Sequence, residues 1–453
     1  MSVMIGVEVH AQLNTASKIF CSDSTDHRDK EPNQNTCPIC LGFPGSKPKL
    51  NKKVLEYGLM IGMALNCKVT ETVFFSRKTY FYPDLSKNYQ ITQYEAPLTT
   101  EGYLTTGEDK VRIRRVHIEE DPAKLMYVNG DITSSEYVHM DYNRAGVPLA
   151  EIVTEPDFTS PKQVRAFLEQ LSSILEHLGV YDSAKEATLR VDANISIDGG
   201  ERVEVKNITG FENVEKALNY EIVRQNGLKR MEVEIQRETR HFDAEMKTTK
   251  SLRKKEYEED YGYIFDPDLP TVTISKAMIA TLKKNMPELP DQRVQRFVRD
   301  YGTSEYTSHV LVYTDKNLAD FFEQSCKLYP KPDIVANWLM NYILKSLNWR
   351  SEKIRSSKVK PDTFVEMLTL IEKGTLSERY AKELVKEYVD TGTSPGKLLE
   401  RGGAEVTTGD IEQIVKNVVG ENKKAVDEFK SGRKEAMQFL IGKVLAQSGK
   451  KGD

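Results

Sequence analysis

One stretch of the chain carries carboxylates, an amide and cations at a spacing that could do chemistry. From Ala187 to Asn207 it reads ATLRVDANISIDGGERVEVKN. Leu189, Val191, Ala193, Ile195 and Ile197 are apolar, while Arg190, Asp192, Asn194 and Ser196 between them are polar. A period of two is the signature of a strand with one buried face. Asp198-Gly199-Gly200 supplies turn residues that tolerate positive φ. The return strand alternates again, with Arg202, Glu204 and Lys206 polar and Val203 and Val205 apolar. An odd-length loop keeps the apolar faces together, because a one-residue slip would swap them. Arg190, Asp192, Asn194, Glu204 and Lys206 then share one face. Such a set can hold a metal ion and phosphates, although a solvated sheet face would carry the same residue types.

Three further segments add ligand-type side chains. Met4 to Leu13 alternates, with Glu8, His10 and Gln12 opposite an apolar face. A carboxylate and an imidazole two residues apart on a strand can share one divalent ion, although Mg²⁺ prefers all-oxygen ligands. His117-Ile118-Glu119-Glu120-Asp121 closes a strand with an acidic cluster, suited to a cation that bridges nucleotide phosphates. RAGVPLAE, Arg144 to Glu151, reads as an irregular Gly/Pro segment ending in a carboxylate. Cys21 and the Cys37-Pro38-Ile39-Cys40 pair have zinc-site character, with Asp23 or His27 as fourth ligand. A packed remnant of such a site fits the same spacing. A redox Cys-x-x-Cys fits less well, because no βαβ pattern surrounds it.

The elements that must position these residues follow from periodicity. Helices are expected over Leu50 to Leu65, from Ser160-Pro161 to His177, and over Asn213 to Gln225. Phe74 to Gln93 is an aromatic loop or hairpin with Lys78 and Lys87, able to cover a ligand and set a cation on phosphate. Val111 to Ile118 is a strand whose alternation slips at Arg114-Arg115, which indicates a bulge. Val138 to Asn143 and Glu232 to Gln236 read as strands, and Thr239 to Pro270 as a charged, turn-rich stretch with Arg240, Arg253, Lys254 and Lys255. From Met278 onward the pattern is helical. A first helical region runs to Leu399 with a linker at Gly392 to Gly396, and a small terminal domain starts near Arg401-Gly402-Gly403. Arg350, Lys353, Arg355, Lys358 and Lys360 form one basic cluster, and Lys423, Lys424, Lys430, Arg433 and Lys434 another. Either could meet an RNA backbone or be a solvated helix face.

Composition narrows the function classes. With 453 residues the chain needs more than one core. Its net charge is only −4 with 29% charged residues, so nucleic-acid contacts would come from local patches. There is no apolar run of about 18 residues, and MSVMIGVEVH is a strand pattern and not a signal peptide. Five sparse cysteines suit a reducing, cytoplasmic home. Neither a Walker A loop nor G-x-G-x-x-G occurs, so any nucleotide must be held by sheet-borne carboxylates and metal ions.

At this level of detail the motifs resemble a known family. VEVHAQL (Val7 to Leu13), CPICLGFPG (Cys37 to Gly45), YFYPDLSKNYQITQYE (Tyr80 to Glu95), HIEEDPAKL (His117 to Leu125) and DYNRAGVPLAEIVTEPD (Asp141 to Asp157) are similar to the GatB proteins of the tRNA-dependent amidotransferases. LRVDANISI, EVKNITGF, FDPDLP, ANWLMNYIL and GRKEAMQFLIGKV also fit, in the expected order over nearly the whole chain. The related GatE proteins carry a synthetase-like insertion that this chain is too short to hold.

The resemblance implies an α+β fold in three parts. These are an antiparallel-sheet cradle related to glutamine synthetase over 1–290, an all-α helical domain over 291–399, and a small YqeY-like helical tail over 400–453. It implies ATP-dependent phosphorylation of the side-chain carboxylate of Glu on tRNA-Gln or Asp on tRNA-Asn. Ammonia from a GatA glutaminase partner then displaces the phosphate, with GatC as a further partner and no membrane. Face and charge nominate Glu8, His10, Glu119, Glu151, Asp192 and Glu204 as Mg²⁺ ligands. Lys78, Arg190 and Lys206 are the expected phosphate ligands. Arg190, Lys206 and Asn194 are the expected catalytic groups, and Cys21, Cys37 and Cys40 the zinc ligands. Two features depart from the family pattern: Asp23 stands where zinc-binding members present a second cysteine, and the tail is short after Phe439 to Val444. Two other readings use the same residues: a non-catalytic tRNA-binding assembly protein, and a stand-alone ligase using free ammonia.

Overall fold

The computed structural model describes residues 2–130, 135–185, 188–254, 262–401 and 408–447. Ala187, Lys255, Gly402, Gly403 and the last residues of the tail lie outside them. The chain divides into two compact units, Met1–Leu289 and Pro290–Asp453.

In chain order the strands of the first unit are β1 (Val3–Gln12), β2 (Lys68–Val69), β3 (Thr72–Val73), β4 (Ser76–Thr79), β5 (Gln90–Thr92), β6 (Thr99–Thr106), β7 (Asp109–Glu120) and β8 (Lys124–Tyr127). They continue with β9 (Val138–Asp141), β10 (Pro148–Thr154), β11 (Leu189–Ile197), β12 (Val203–Thr209), β13 (Glu238–Asp243), β14 (Thr248–Lys254), β15 (Gly262–Phe265) and β16 (Val272–Thr273). Nine of them form one sheet in the order β14-β13-β12-β11-β1-β10-β7-β6-β2. Only the β12–β13 pair in it is parallel, and a parallel step needs a crossover connection. Helix α3 (Phe211–Arg230) supplies it.

The alternation of β1 decides which face is which. Ile5, Val7, Val9 and Ala11 join one core with helices α1 (Lys52–Ala64), α2 (Pro161–His177) and α3. Gly6, Glu8, His10 and Gln12 therefore look to the opposite face. Helix α2 starts as expected: Ser160 accepts from the Gln163 N–H, the Gln163 side chain accepts from the Ser160 N–H, and Pro161 occupies the first turn. Helix α1 approaches the sheet closely because Gly62 has no side chain; a Cβ there would lie 2.4 Å from Thr99 Cγ2. Over the polar face stands a second sheet, β15-β4-β5.

Three expectations are corrected. Of the segment Arg144 to Glu151 read as irregular, Arg144 to Val147 is a turn, but Pro148 to Glu151 belongs to strand β10, which lies between β1 and β7 in the middle of the sheet. All seven of its residues are buried, so period-2 alternation is erased, and Pro148 is tolerated as its first residue. No strand spans Glu232 to Gln236. The chain turns after α3 with Glu232 at φ 57, and the next strand begins at Glu238. The stretch read as turn-rich from Thr239 holds β13, β14 and β15. Its Arg240 charge is satisfied internally, by Glu221 and Glu238.

The described part of the second unit is helical. Phe297, Phe322, Leu339, Phe364 and Tyr388 share its core. Leu398 and Leu399 belong to that core too, so the Gly392 region is a tight connection between helices, with Gly392 left-handed at φ 68. In the basic cluster nearby, Arg350 donates to Asp390 and Ser346, and Lys358 to the Asp390 carbonyl. Arg433 in the tail pairs with Glu428. Among the described residues no helix is long and apolar enough to cross a membrane.

Glu221 on α3 is wholly buried, accepts from Arg224, Gln225 and Thr249 and forms an ion pair with Arg240. Burial opposes its charge, yet these partners hold its pKa below the usual 4.5. We expect Glu221→Ala to cost about 1–3 kcal/mol at neutral pH, because it removes the more buried of the two carboxylates that Arg224 and Arg240 share, leaving Glu238. A depressed folded-state pKa gives stability that is complete above the ordinary carboxylate pKa and lost as pH falls through the folded value. The gap between wild type and variant in denaturant unfolding should therefore shrink on acidification below pH 4.5.

Candidate active site

Strand register builds the site in two rows across the sheet. His117 on β7 lies opposite Glu151 on β10, which lies opposite His10 on β1, which lies opposite Arg190 on β11. The neighbouring row is Arg115, Val153, Glu8 and Asp192. The six expected metal ligands fall into two sets. His10, Glu119 and Glu151 offer ligand atoms within 4.8 Å of one another, and so do Glu8, Asp192 and Glu204. His10 Nε2 is 3.5 Å from Glu151 Oε2 and 3.8 Å from Glu119 Oε1.

A bulge completes the second set. The β11–β12 register shifts between Val191 and Ala193, and Asn207 sits left-handed at φ 55. Its N–H donates to Asp192 Oδ1 at 2.7 Å. Lys206 Nζ then lies 3.9 Å from Asp192 Oδ2 and 4.0 Å from Glu204 Oε2. Asn194 Nδ2 donates to Glu8 Oε1 at 3.2 Å. Asn194 does not line the cavity described below and touches it through this hydrogen bond to Glu8.

The electrostatics reflect crowded negative charge. Burial raises the Glu8 pKa, and Glu151, Asp192 and Glu204 raise it further. Burial disfavours charge on His10, but its hydrogen bond to Glu151 and the surrounding carboxylates outweigh that and lift its pKa to about 9. Burial likewise opposes charge on Glu151, yet His117 and His10 hold it well below the carboxylate range.

These residues line a cavity of about 300 Å³. Lys78 and Tyr80 of the β4 region, Gln90 and Thr92 of β5, and Tyr94 stacked on Tyr263 at 4.0 Å form its far wall. Arg190 also lines it, with its guanidinium held by Asp121 Oδ1 at 2.7 Å. The same carboxylate takes Gln12 Nε2 at 2.7 Å and lies 3.5 Å from Arg144 Nε. Lys87 is removed from the cavity by its ion pair with Glu120.

Several lining residues were not nominated from sequence: His117, Arg114, Arg115, Arg202, Arg237, Thr239 and the tyrosines. His117 Nε2 is 3.1 Å from Glu151 Oε2. Its spacing of two from Glu119 repeats the Glu8–His10 pattern and could have flagged it. The slip at Arg114-Arg115 is a real bulge: Arg115 faces the cavity, and Arg114 stands at its rim, paired with Glu155.

The family model for the GatB/GatE catalytic domain matches residues 3–280, and the model for the GatB domain matches 320–453. The chain belongs to the GatB/GatE family. It is 45% identical over 458 residues to the B subunit of aspartyl/glutamyl-tRNA(Asn/Gln) amidotransferase from Saccharolobus solfataricus, covering 100% of this chain and 97% of the relative. The corresponding B subunits of Methanospirillum hungatei and Thermotoga maritima are 44% and 43% identical, each over 98% of this chain and 94% and 95% of their own lengths.

This GatB/GatE-family chain also gathers its cysteines. Cys21, Cys37, Cys40 and Asp23 offer ligand atoms within 4.8 Å of one another. Asp23 and not His27 is the carboxylate-or-imidazole member of that group. A hydrogen bond from Cys21, aided by nearby Lys18, lowers the Cys40 thiol to about 6 against the effect of burial. Lys18 is wholly buried, donates to the Asn35 carbonyl at 2.8 Å and lies 3.8 Å from Cys40 Sγ. Cys67 and Cys326 stand apart from the group.

Asn207 tests the bulge. Glycine accepts φ 55 and a β-branched residue does not. Asn207→Gly should unfold within about 1 kcal/mol of wild type, whereas Asn207→Val should lose about 1–3 kcal/mol in thermal or denaturant melts.

Proposed function

We propose that this sheet face activates the side-chain carboxylate of Glu on tRNA-Gln or Asp on tRNA-Asn, so that ammonia can convert it to the amide. The observation that carries the reading is the pair of ligand sets, one reaching from β1 across β10 to β7 and the other from β1 across β11 to β12, opening into one cavity with basic walls. The relatives are named for an aspartyl/glutamyl-tRNA(Asn/Gln) amidotransferase, which supports the substrate class. Their designation as one component of a larger enzyme also supports partners: a GatA protein that releases ammonia from glutamine, a GatC protein and the tRNA. The first unit would correspond to a cradle related to glutamine synthetase over 1–290, followed by a helical domain over 291–399 and a tail over 400–453.

A carboxylate does not react with ammonia directly, because its leaving group would be oxide. One carboxylate oxygen instead forms a bond to the γ-phosphorus of ATP as the bond to ADP breaks. The nitrogen of ammonia then forms a bond to the carbonyl carbon and loses a proton to solvent as the carbon–oxygen bond to phosphate breaks. Such transfer depends on positioning and on positive charge around the phosphoryl oxygens.

The residues present fit divalent ions. Glu8, Asp192 and Glu204 form an oxygen-only set suited to Mg²⁺, and a cation there would offset both the burial and the neighbouring carboxylates that raise the Glu8 pKa. His10, Glu119 and Glu151 suit a divalent ion that tolerates imidazole. When bound, such ions neutralise charge on the phosphates. Asn194 orients Glu8, and Asp192 fixes the bulge from which Lys206 reaches the cavity. Arg190, anchored on Asp121, contributes fixed positive charge, and Lys78 is a cation of the far wall.

Cys21, Cys37, Cys40 and Asp23 fit a structural Zn²⁺. Purified chain is expected to hold about one zinc, read by chelator-dye release, and Cys40→Ser to lose most of it.

The test of the activity is phosphate release by the assembled complex with Mg²⁺ and ATP. Release that depends on Glu-tRNA-Gln or Asp-tRNA-Asn is expected, and Glu8→Gln should lower it by about 100-fold or more while the complex stays assembled. No dependence on either tRNA, from a folded complex that binds them, would contradict the reading and favour a non-catalytic assembly role.

A further inference from the structure

We propose that Arg115 is a ligand of the nucleotide's phosphates, beside Lys78, Arg190 and Lys206, which the sequence alone nominates for that place. The inference rests on the phosphoryl-transfer reading above and adds a specific residue to it.

The cations around the cavity are not equivalent. Arg190 is locked on Asp121. Lys206 lies between Asp192 and Glu204. Arg114 makes a two-pronged contact with Glu155, at 3.0 and 2.8 Å. Each of these charges already has a carboxylate. Arg115 lines the same cavity and makes no ion pair with any described residue. Its Nε is shut off from solvent and has no hydrogen-bond partner among them. A buried guanidinium nitrogen without an acceptor is costly, and the planar fork of arginine matches phosphate oxygens.

Position supports this. Arg115 and Glu8 lie on either side of Val153 in one cross-strand row. Adjacent strands are about 4.8 Å apart, so Arg115 stands roughly 10 Å along the sheet from Glu8. Val153 between them is small and lines the cavity, leaving space above it. A polyphosphate lying over Val153 would have the Glu8 carboxylate set at one end and the Arg115 guanidinium at the other. The bulge at Arg114 gives this order: the extra residue takes Glu155, and the next arginine turns inward.

The experiment is equilibrium binding of ATP, ADP and adenosine to the full chain with Mg²⁺. Arg115→Gln should weaken ATP by about 10- to 100-fold, ADP by less, and adenosine not at all. Arg115→Lys should recover part of the loss, and it guards against a folding defect because it keeps charge and stem. Tripolyphosphate should displace ATP from wild type and do so poorly in the Gln variant. Wild-type ATP affinity in Arg115→Gln, or an equal loss for adenosine, would overturn the assignment and leave the phosphoryl-transfer reading standing. A wild-type chain that binds no ATP would overturn both.

Discussion

Carboxylates cannot crowd a half-buried surface without a cation to share. Glu8, Glu119, Glu151, Asp192 and Glu204 do crowd one face of the nine-stranded sheet, with two imidazoles and Lys206 among them. The rest of the first unit is arranged around that constraint. Cations at the margins are engaged elsewhere: Arg190 by Asp121, Lys87 by Glu120, and Arg77 by Asp266 and Asp268. Negative charge is thereby concentrated in the centre, where divalent ions and the phosphates they carry can offset it.

Geometry comes from backbone hydrogen bonding. Antiparallel register sets His117, Glu151, His10 and Arg190 in one row and Arg115, Val153, Glu8 and Asp192 in the next. Two bulges, at Arg114 and at Asn207, re-aim side chains at each edge of this patch. Helices α1 to α3 cover the other face and keep the sheet rigid. The polar face is left for the smaller β15-β4-β5 sheet, which closes the cavity with tyrosines and Lys78.

Much of this was legible in the sequence, because strands with one wet face write their alternation plainly. Strands β1, β11 and β12, and the odd-length loop between the last two, follow from period-2 pattern, and they carry Glu8, His10, Asp192 and Glu204. Strand β10 was illegible for the opposite reason: buried on both faces and opened by Pro148, it has no alternation. The turn after α3 misled because an exposed loop alternated by chance; Val233 is 49% exposed. Arg115 and His117 were hidden in motifs whose acidic members drew attention. The division of the ligands into two sets depends on pairing between strands far apart in sequence, which no local pattern carries. Asp121 in the acidic cluster turned out to be a clamp for Arg190 and Arg144, a role visible only once β7, β11 and the Arg144 turn meet.

The most direct measurement of the central claim is the divalent-ion stoichiometry of the folded chain, with Mn²⁺ as a paramagnetic probe in the presence of ATP. The account predicts two ions per chain, one for each ligand set. Asp192→Asn with Glu204→Gln should remove one, and Glu119→Gln with Glu151→Gln the other, each pair leaving the second ion bound. A chain that binds no Mn²⁺, or whose binding is unchanged by both pairs, would contradict a phosphoryl-transfer site on this sheet face.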